Sequence, residues 1–279
     1  MSAASDITRR AKSNLAFALK ILPRERREDM VVFYAFCRTI DDLADDPGIP
    51  IIEREKQLAH WRNGLVSGFN APDEFQQEVI ALRDRHQIPD DLLLAIIDGC
   101  RMDLHPQRFE TWHDLSDYIW KVACAVGLVS TRLFGCQDPG SEHYAVALGH
   151  ALQLTNILRD IGEDLSNGQR IYLPRGDLAR FDYTEQDLVA RVHDARFVAL
   201  MNYQAERAEK FYQEAAAALP ASDRRALVPA RIMGETYHLL LEKMRADHFQ
   251  VFTKRYRISK PRKLAILSKH LIARSARVE

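Results

Sequence analysis

The chain has 279 residues and a mass of 32.0 kDa; 47% of it is apolar and 28% charged, so it can build a sizeable core and is not a disordered polymer. Lys plus Arg number 39, as do Asp plus Glu, and this balance argues against a generally basic nucleic-acid binder. Gly 12 and Pro 11 are few for this length, which favours helix over a turn-rich all-β fold.

In chain order, Met30, Phe33, Tyr34 and Cys37 recur at helical spacing, predicting a helix over 25–46 that starts after Pro23 and stops at Pro47-Gly48. A second is expected over 51–68, a third from Asp73 to about His86, and a fourth from Pro89-Asp90 to about Asp103, broken by Pro106. Long apolar helices follow over 111–135 and 141–165, then a loop over 168–182 holding Arg170, Tyr172 and Pro174. Two further long helices, 184–218 and 222–249, meet at Leu219-Pro220, and a basic helix begins at Pro261. These make one all-α domain over 1–279, a bundle of about nine to eleven helices. Stretches 119–134 and 145–158 are apolar nearly all round, so they belong at its centre, where any polar group needs a partner.

Cys37, Cys100, Cys124 and Cys136 form no C-x-x-C pair, which fits a reducing compartment better than a zinc site or a disulfide framework. The opening residues lack the apolar core of a signal peptide, and no run is long and charge-free enough to span a bilayer. A cytoplasmic protein is expected.

Two polar clusters break the apolar pattern. Asp41, Asp42, Asp45 and Asp46 close the first helix, with Asp41 and Asp45 on one face. Like charges repel there, and the helix C-terminus disfavours anions, so the group asks for a bound cation or a solvated turn. The second cluster places Asn156, Asp160 and Asp164 at i, i+4 and i+8, with Gln153 on the same side and Leu154, Ile157, Leu158 and Ile161 facing a core. Oxygen-only ligands at this spacing suit Mg²⁺, which binds through carboxylates and substrate phosphates. Arg159 and Arg170 would then meet diphosphate oxygens.

Tyr34-Ala-Phe-Cys-Arg38 leading into Asp41-Asp42-x-x-Asp45, and Asn156-Ile-Leu-Arg-Asp160-x-x-x-Asp164 followed by Arg170-Ile-Tyr-Leu-Pro174, resemble the two motifs of the squalene and phytoene synthases, the head-to-head prenyl transferases. The motifs lie about 115 residues apart, and the likeness covers nearly the whole chain. The resemblance implies an isoprenoid-synthase bundle around a central tunnel, two or three Mg²⁺ ions and a prenyl diphosphate substrate. Asp41 and Asp45, with Asp42 beside them, would hold metal on one wall, and Asn156, Asp160 and Asp164 on the other. Arg38, Arg159 and Arg170 resemble the family's diphosphate-binding or motif-orienting arginines, and Tyr237 and Arg255 its C-terminal diphosphate contacts. Gln153 and the Ala125-Val126-Gly127 stretch would line the tunnel, and the phenol of Tyr34 or the released diphosphate would accept a proton.

The chain departs from the family at Trp120, where many members have Tyr, at Cys124, where they have Gly, and at Leu15, often aromatic in relatives. Trp120 would face substrate with a π face in place of a phenol. The opening residues 12–17 and the ending Val251-Phe-x-x-Arg255…Ile258-Ser-x-Pro-Arg-Lys-Leu264 are most similar to bacterial presqualene diphosphate synthases of hopanoid pathways. The implied reaction joins two farnesyl diphosphates to presqualene diphosphate. Phytoene, dehydrosqualene and NADPH-dependent squalene synthesis are the alternatives, and NADPH is not expected. A catalytically dead assembly factor would show decayed Asp motifs. A di-iron bundle would use the Glu110/His113 and Glu235/His238 pairs. From 251 to 279, nine Lys or Arg stand against Glu279 alone, with Leu264, Ile266, Leu267 and Leu271 among them. This tail is expected to touch the inner membrane surface peripherally. Oligomeric state is not readable.

Overall fold

A computed structural model describes residue 4 and residues 21–105, 108–167 and 170–275, the last four as backbone only. Residues 12–17 with Leu15, Pro106, Gly168, and the side chains of Arg274, Arg277 and Glu279 lie outside this set. The described residues hold twelve α-helices and no strand: α1 (Arg24–Asp45), α2 (Ile51–Ser67), α3 (Glu74–Arg85), α4 (Asp90–Met102), α5 (Trp112–Ile119), α6 (Ala125–Phe134), α7 (Gly140–Ser166), α8 (Arg175–Arg180), α9 (Glu185–Val189), α10 (Ala195–Ala218), α11 (Val228–Ala246) and α12 (Lys260–Ser275). No helix among them is long and apolar enough to cross a membrane.

Local chemistry explains most boundaries. Asp73 begins α3 with a capping box, accepting from the Gln76 backbone N–H at 2.7 Å while the Gln76 side chain accepts from the Asp73 N–H. Gly135 ends α6 at φ +74°, a left-handed position that glycine adopts without strain.

Four segments differ from the sequence reading. The loop expected over 168–182 contains α8, because Pro174 presets its first turn and Asp177 turns inward to accept from Gln204 and Arg207. The helix expected over 184–218 is two helices. Thr184 makes a capping box with Asp187 to open α9, and Asp194 caps α10 through the Arg196 and Phe197 N–H groups. Between them Arg191 sits at φ +56°, which stops helical propagation. The helix expected over 222–249 is shorter. Asp223 is committed to the N–H groups of Gln137 and Asp138 and the Ser141 hydroxyl, while His248 and Phe249 take positive φ. Finally, the 111–135 helix is interrupted by a π-helical turn at Trp120–Cys124 that joins α5 to α6. These splits raise the helix number above the expected nine to eleven.

Helix α7 runs through the middle, against α10, α6, α11, α5 and the π turn. It buries Leu148, Ala151, Leu154, Ile157, Leu158 and Ile161, as its all-round apolar pattern requires. Glycines permit the close crossings. A Cβ on Gly149 would lie 2.9 Å from Cys124 Cα and 3.0 Å from its N, and one on Gly127 would lie 3.0 Å from the Ala145 carbonyl oxygen. The 125–127 stretch is therefore a packing seam: Ala125 is fully buried and Val126 packs against the core. Gly149→Ala should cost about 1–3 kcal/mol, since the added methyl meets backbone that cannot rotate away. Urea unfolding of the two proteins measures it, and equal midpoints would mean that α7 can shift.

Candidate active site

The structure opens one cavity between the two acidic motifs, of about 1380 Å³. Helix α1 contributes Arg38, Asp41 and Asp45; α7 contributes Gln153, Asn156, Ile157, Arg159, Asp160, Glu163 and Asp164. The residues after α7 add Arg170 and Tyr172, α11 adds Thr236, Tyr237, Leu240 and Lys243, and the chain from Arg255 to Lys263 forms the remaining lip. The stripe Asn156, Asp160 and Asp164 thus faces the α1 acids across the cavity.

Arginines hold most of these acids. Arg38 donates to Asp41 at 3.1 Å and from Nε to Asp42 at 3.0 Å, across one helical turn. Arg159 donates from Nε to Asp160 at 2.8 Å, and Arg255 from Nε to the same carboxylate at 3.1 Å and on to Glu163 at 2.8 Å. Arg170 joins the two motifs, donating to Asp45 at 2.7 Å and to the Asp103 carbonyl at 3.2 Å. Tyr237 places its ring 6.0 Å from the Arg159 guanidinium. Asp46 makes the solvated turn, accepting from the Gly48 N–H at 2.8 Å.

The remaining charge is not fully answered. Burial, then the charge of Asp45, pushes the Asp41 carboxyl up to about 6. Burial, then Asp160, pushes Asp164 up to about 7. Burial works against the charge of Arg159 and Arg170, but their bonds to Asp160 and Asp45 outweigh it and hold both firmly protonated.

A group that sequence reasoning missed lies at the back of the cavity. Asp103, just past α4, accepts from the Tyr118 hydroxyl at 2.8 Å and the Tyr172 hydroxyl at 2.9 Å, and the two rings stack at 5.3 Å. Burial raises the Asp103 carboxyl even though both phenols donate to it. No linear signal marked it, since Asp103 is one of several acids on and beside α4 and its two phenols lie on other segments. Tyr118, in α5 just before the π turn, lines the cavity, whereas Trp120 is 36% exposed and is not among the lining residues. Tyr34, Asp42 and Val126 are not among the residues that line the cavity, though Asp42 and Tyr34 both lie beside its Arg38. The carboxylate–histidine pairs of a di-iron site are scattered: Glu110 binds Arg175, Glu235 binds Lys269 and His270, and His238 binds Glu209.

The donor set fits a hard cation. It is all oxygen, and the Oδ1 atom of Asn156 is buried with no hydrogen-bond partner, an expensive state unless a ligand meets it. Among the described residues, no three His, Cys, Asp or Glu side chains gather tightly enough to hold an ion alone.

Fold and cavity together define an all-α isoprenoid-synthase-type transferase, and comparison with known proteins agrees. The squalene/phytoene synthase family matches residues 8–262. A 15-cis-phytoene synthase of Synechocystis sp. is 34% identical over 88% of this chain and 77% of its own length. A presqualene diphosphate synthase of Rhodopseudomonas palustris is 34% identical over 93% of each chain. Among solved structures, a dehydrosqualene synthase in complex with ligand superposes with a TM-score of 0.80 at 28% identity, covering 98% of this chain and 95% of that one. A squalene synthase of Alicyclobacillus acidocaldarius gives 0.76 at 25% identity, covering 88% and 93%. The chain belongs to the squalene/phytoene synthase family and is a prenyl transferase.

The raised carboxyls have a measurable cost. Asp41 and Asp164 keep protons in the folded state that the unfolded chain, with an ordinary value of 3.8, releases. Their contribution to stability is therefore present below about pH 4 and is lost as pH rises through 6 to 7. In metal-free protein, Asp41→Asn and Asp164→Asn should each raise Tm at pH 8 relative to wild type and leave it nearly equal at pH 4. Thermal melts at the two pH values decide it; a lower Tm at pH 8 would refute the assignment.

Proposed function

We infer that the protein carries out a Mg²⁺-dependent head-to-head condensation of two farnesyl diphosphates to presqualene diphosphate. The observation that carries this reading is the meeting of Asp41, Asp45, Asn156, Asp160 and Asp164 with Arg38, Arg159, Arg170 and Arg255 around one cavity. Its volume exceeds the roughly 300–1,000 Å³ of an ordinary small-ligand pocket, as two substrates require. The C15 substrate is supported by the presqualene diphosphate synthase relative and by the squalene and dehydrosqualene synthase neighbours, whose named products are C30 hydrocarbons. A second reading, C20 geranylgeranyl diphosphate to phytoene, is favoured by the relatives named phytoene synthase at 32–35% identity.

In this mechanism Asp41 and Asp45 on one wall, and Asn156, Asp160 and Asp164 on the other, would hold Mg²⁺, which would supply positive charge to offset that of the leaving diphosphate. Arg38, Arg159, Arg170 and Arg255 exchange part of their carboxylate contacts for diphosphate oxygens, and Tyr237 steadies Arg159. The donor's C1–O bond breaks, and its diphosphate leaves with the bonding electrons. The acceptor's double bond then joins the allylic carbon, and loss of a proton closes the cyclopropane. The Tyr118 oxygen takes that proton and passes its own to Asp103, whose raised carboxyl suits the task. Gln153 borders the reacting chains, and Ile157, Leu240 and Ile258 keep water from the cation. The reaction stops at the cyclopropyl diphosphate and needs no NADPH.

A product assay tests the reading. Farnesyl diphosphate with Mg²⁺ should give presqualene diphosphate whether or not NADPH is added. Squalene formed only with NADPH would extend the reaction, and phytoene from geranylgeranyl diphosphate would select the second reading. Asp41→Ala and Asp160→Ala should each lower turnover by about a thousandfold or more with unchanged circular dichroism. Tyr118→Phe should lower kcat by about 10²–10⁴-fold while leaving KM nearly unchanged. Normal kcat in Tyr118→Phe would move proton transfer elsewhere.

A further inference from the structure

The turn that leads from α11 to the cavity lip is built against its own local preferences. Asp247 is the C-cap of α11, and His248 and Phe249 then take φ +48° and +54°. Residues other than glycine enter this left-handed region at a cost, so such a turn persists only where its surroundings hold it. Phe249 is fully buried, and its N–H donates to the Met244 carbonyl at 2.8 Å. The chain then crosses α7 at Gly162, where an added Cβ would lie 2.5 Å from the Val251 carbonyl oxygen.

A buried phenol closes the turn. Tyr256 is 3% exposed. Its hydroxyl donates to the Asp247 carboxylate at 2.6 Å and accepts from the Gln250 N–H at 2.9 Å. The Lys254 ammonium pairs with the same carboxylate and lies 5.0 Å from the centre of the Tyr256 ring. Between Lys254 and Tyr256 stands Arg255. Its side chain is 43% exposed, yet it donates to Asp160 at 3.1 Å and to Glu163 at 2.8 Å. Holding so long and exposed a side chain in one geometry costs rotamer freedom, and a fixed backbone lowers that cost. The clamp fixes the backbone on both sides of Arg255. Asp247, Gln250 and Lys254 are not among the residues that line the cavity.

We propose that Tyr256 is a positioning residue for diphosphate binding: with Asp247 and the Gln250 N–H it fixes the backbone that aims Arg255 into the cavity. The proposal rests on the reading that Arg255 meets diphosphate oxygens, and it assigns the aim of that contact to groups behind the cavity wall.

Asp247→Ala separates this clamp from simple electrostatics. Removing a carboxylate near an anion site tightens anion binding by charge alone, whereas loss of the phenol's acceptor weakens it. The experiment is calorimetric titration of inorganic diphosphate with Mg²⁺ into the full chain. Asp247→Ala and Tyr256→Phe should each weaken binding about fivefold, the worth of one hydrogen bond. Asp247→Asn keeps an acceptor for the phenol and should bind within about twofold of wild type. Arg255→Ala should weaken binding by about tenfold or more, and adding Asp247→Ala to it should weaken binding no further. Circular dichroism at the titration temperature shows each variant folded. Asp247→Ala that binds as tightly as wild type, or more tightly, overturns the proposal, as does a full additive loss in the double variant. Wild type that binds no diphosphate, or Arg255→Ala that binds like wild type, overturns the reading of Arg255 and the proposal with it.

Discussion

Six carboxylates, Asp41, Asp45, Asp103, Asp160, Glu163 and Asp164, converge on one half-buried cavity, and their mutual repulsion is the constraint around which the bundle is arranged. Such a cluster can persist only if each member finds a cation, a hydrogen-bond donor or a proton. Asp41, Asp45, Asp160 and Glu163 have arginines, Asp103 has two phenols, and the Asp41 and Asp164 carboxyls are also raised toward their protonated forms. The donors come from parts of the chain distant in sequence. Arg170 follows α7, and Arg255 precedes α12. The site therefore pins chain segments together as well as shaping the cavity.

That arrangement couples binding to order. Metal and diphosphate would relieve the repulsion by taking over contacts now made by Arg38, Arg159, Arg170 and Arg255. A cavity built this way trades stability in the empty state for affinity in the loaded one. The strong apolar packing of α7 supplies the rigidity that lets it carry four polar residues along one stripe.

The sequence made the long helices and both acidic motifs legible, because helical spacing alone puts Asn156, Asp160 and Asp164 on one face. Other features depended on tertiary partners. Asp177 turns its segment helical through Gln204 and Arg207, thirty residues away in the chain. The break before α10 was visible as Thr184 and Asp194 but was overridden by the apolar pattern around them. The Asp103–Tyr118–Tyr172 group joins three segments and has no linear signature. Trp120 and Val126 were placed at the site by resemblance to the family, and neither is among the residues that line the cavity.

The π turn at Trp120–Cys124 carries more residues per turn than the helices it joins, about 100° of rotation for each residue added or removed. Side chains before and after it therefore keep their directions only while the turn is retained. Losing one residue there would swing Tyr118 away from Asp103 without changing any residue in the cavity.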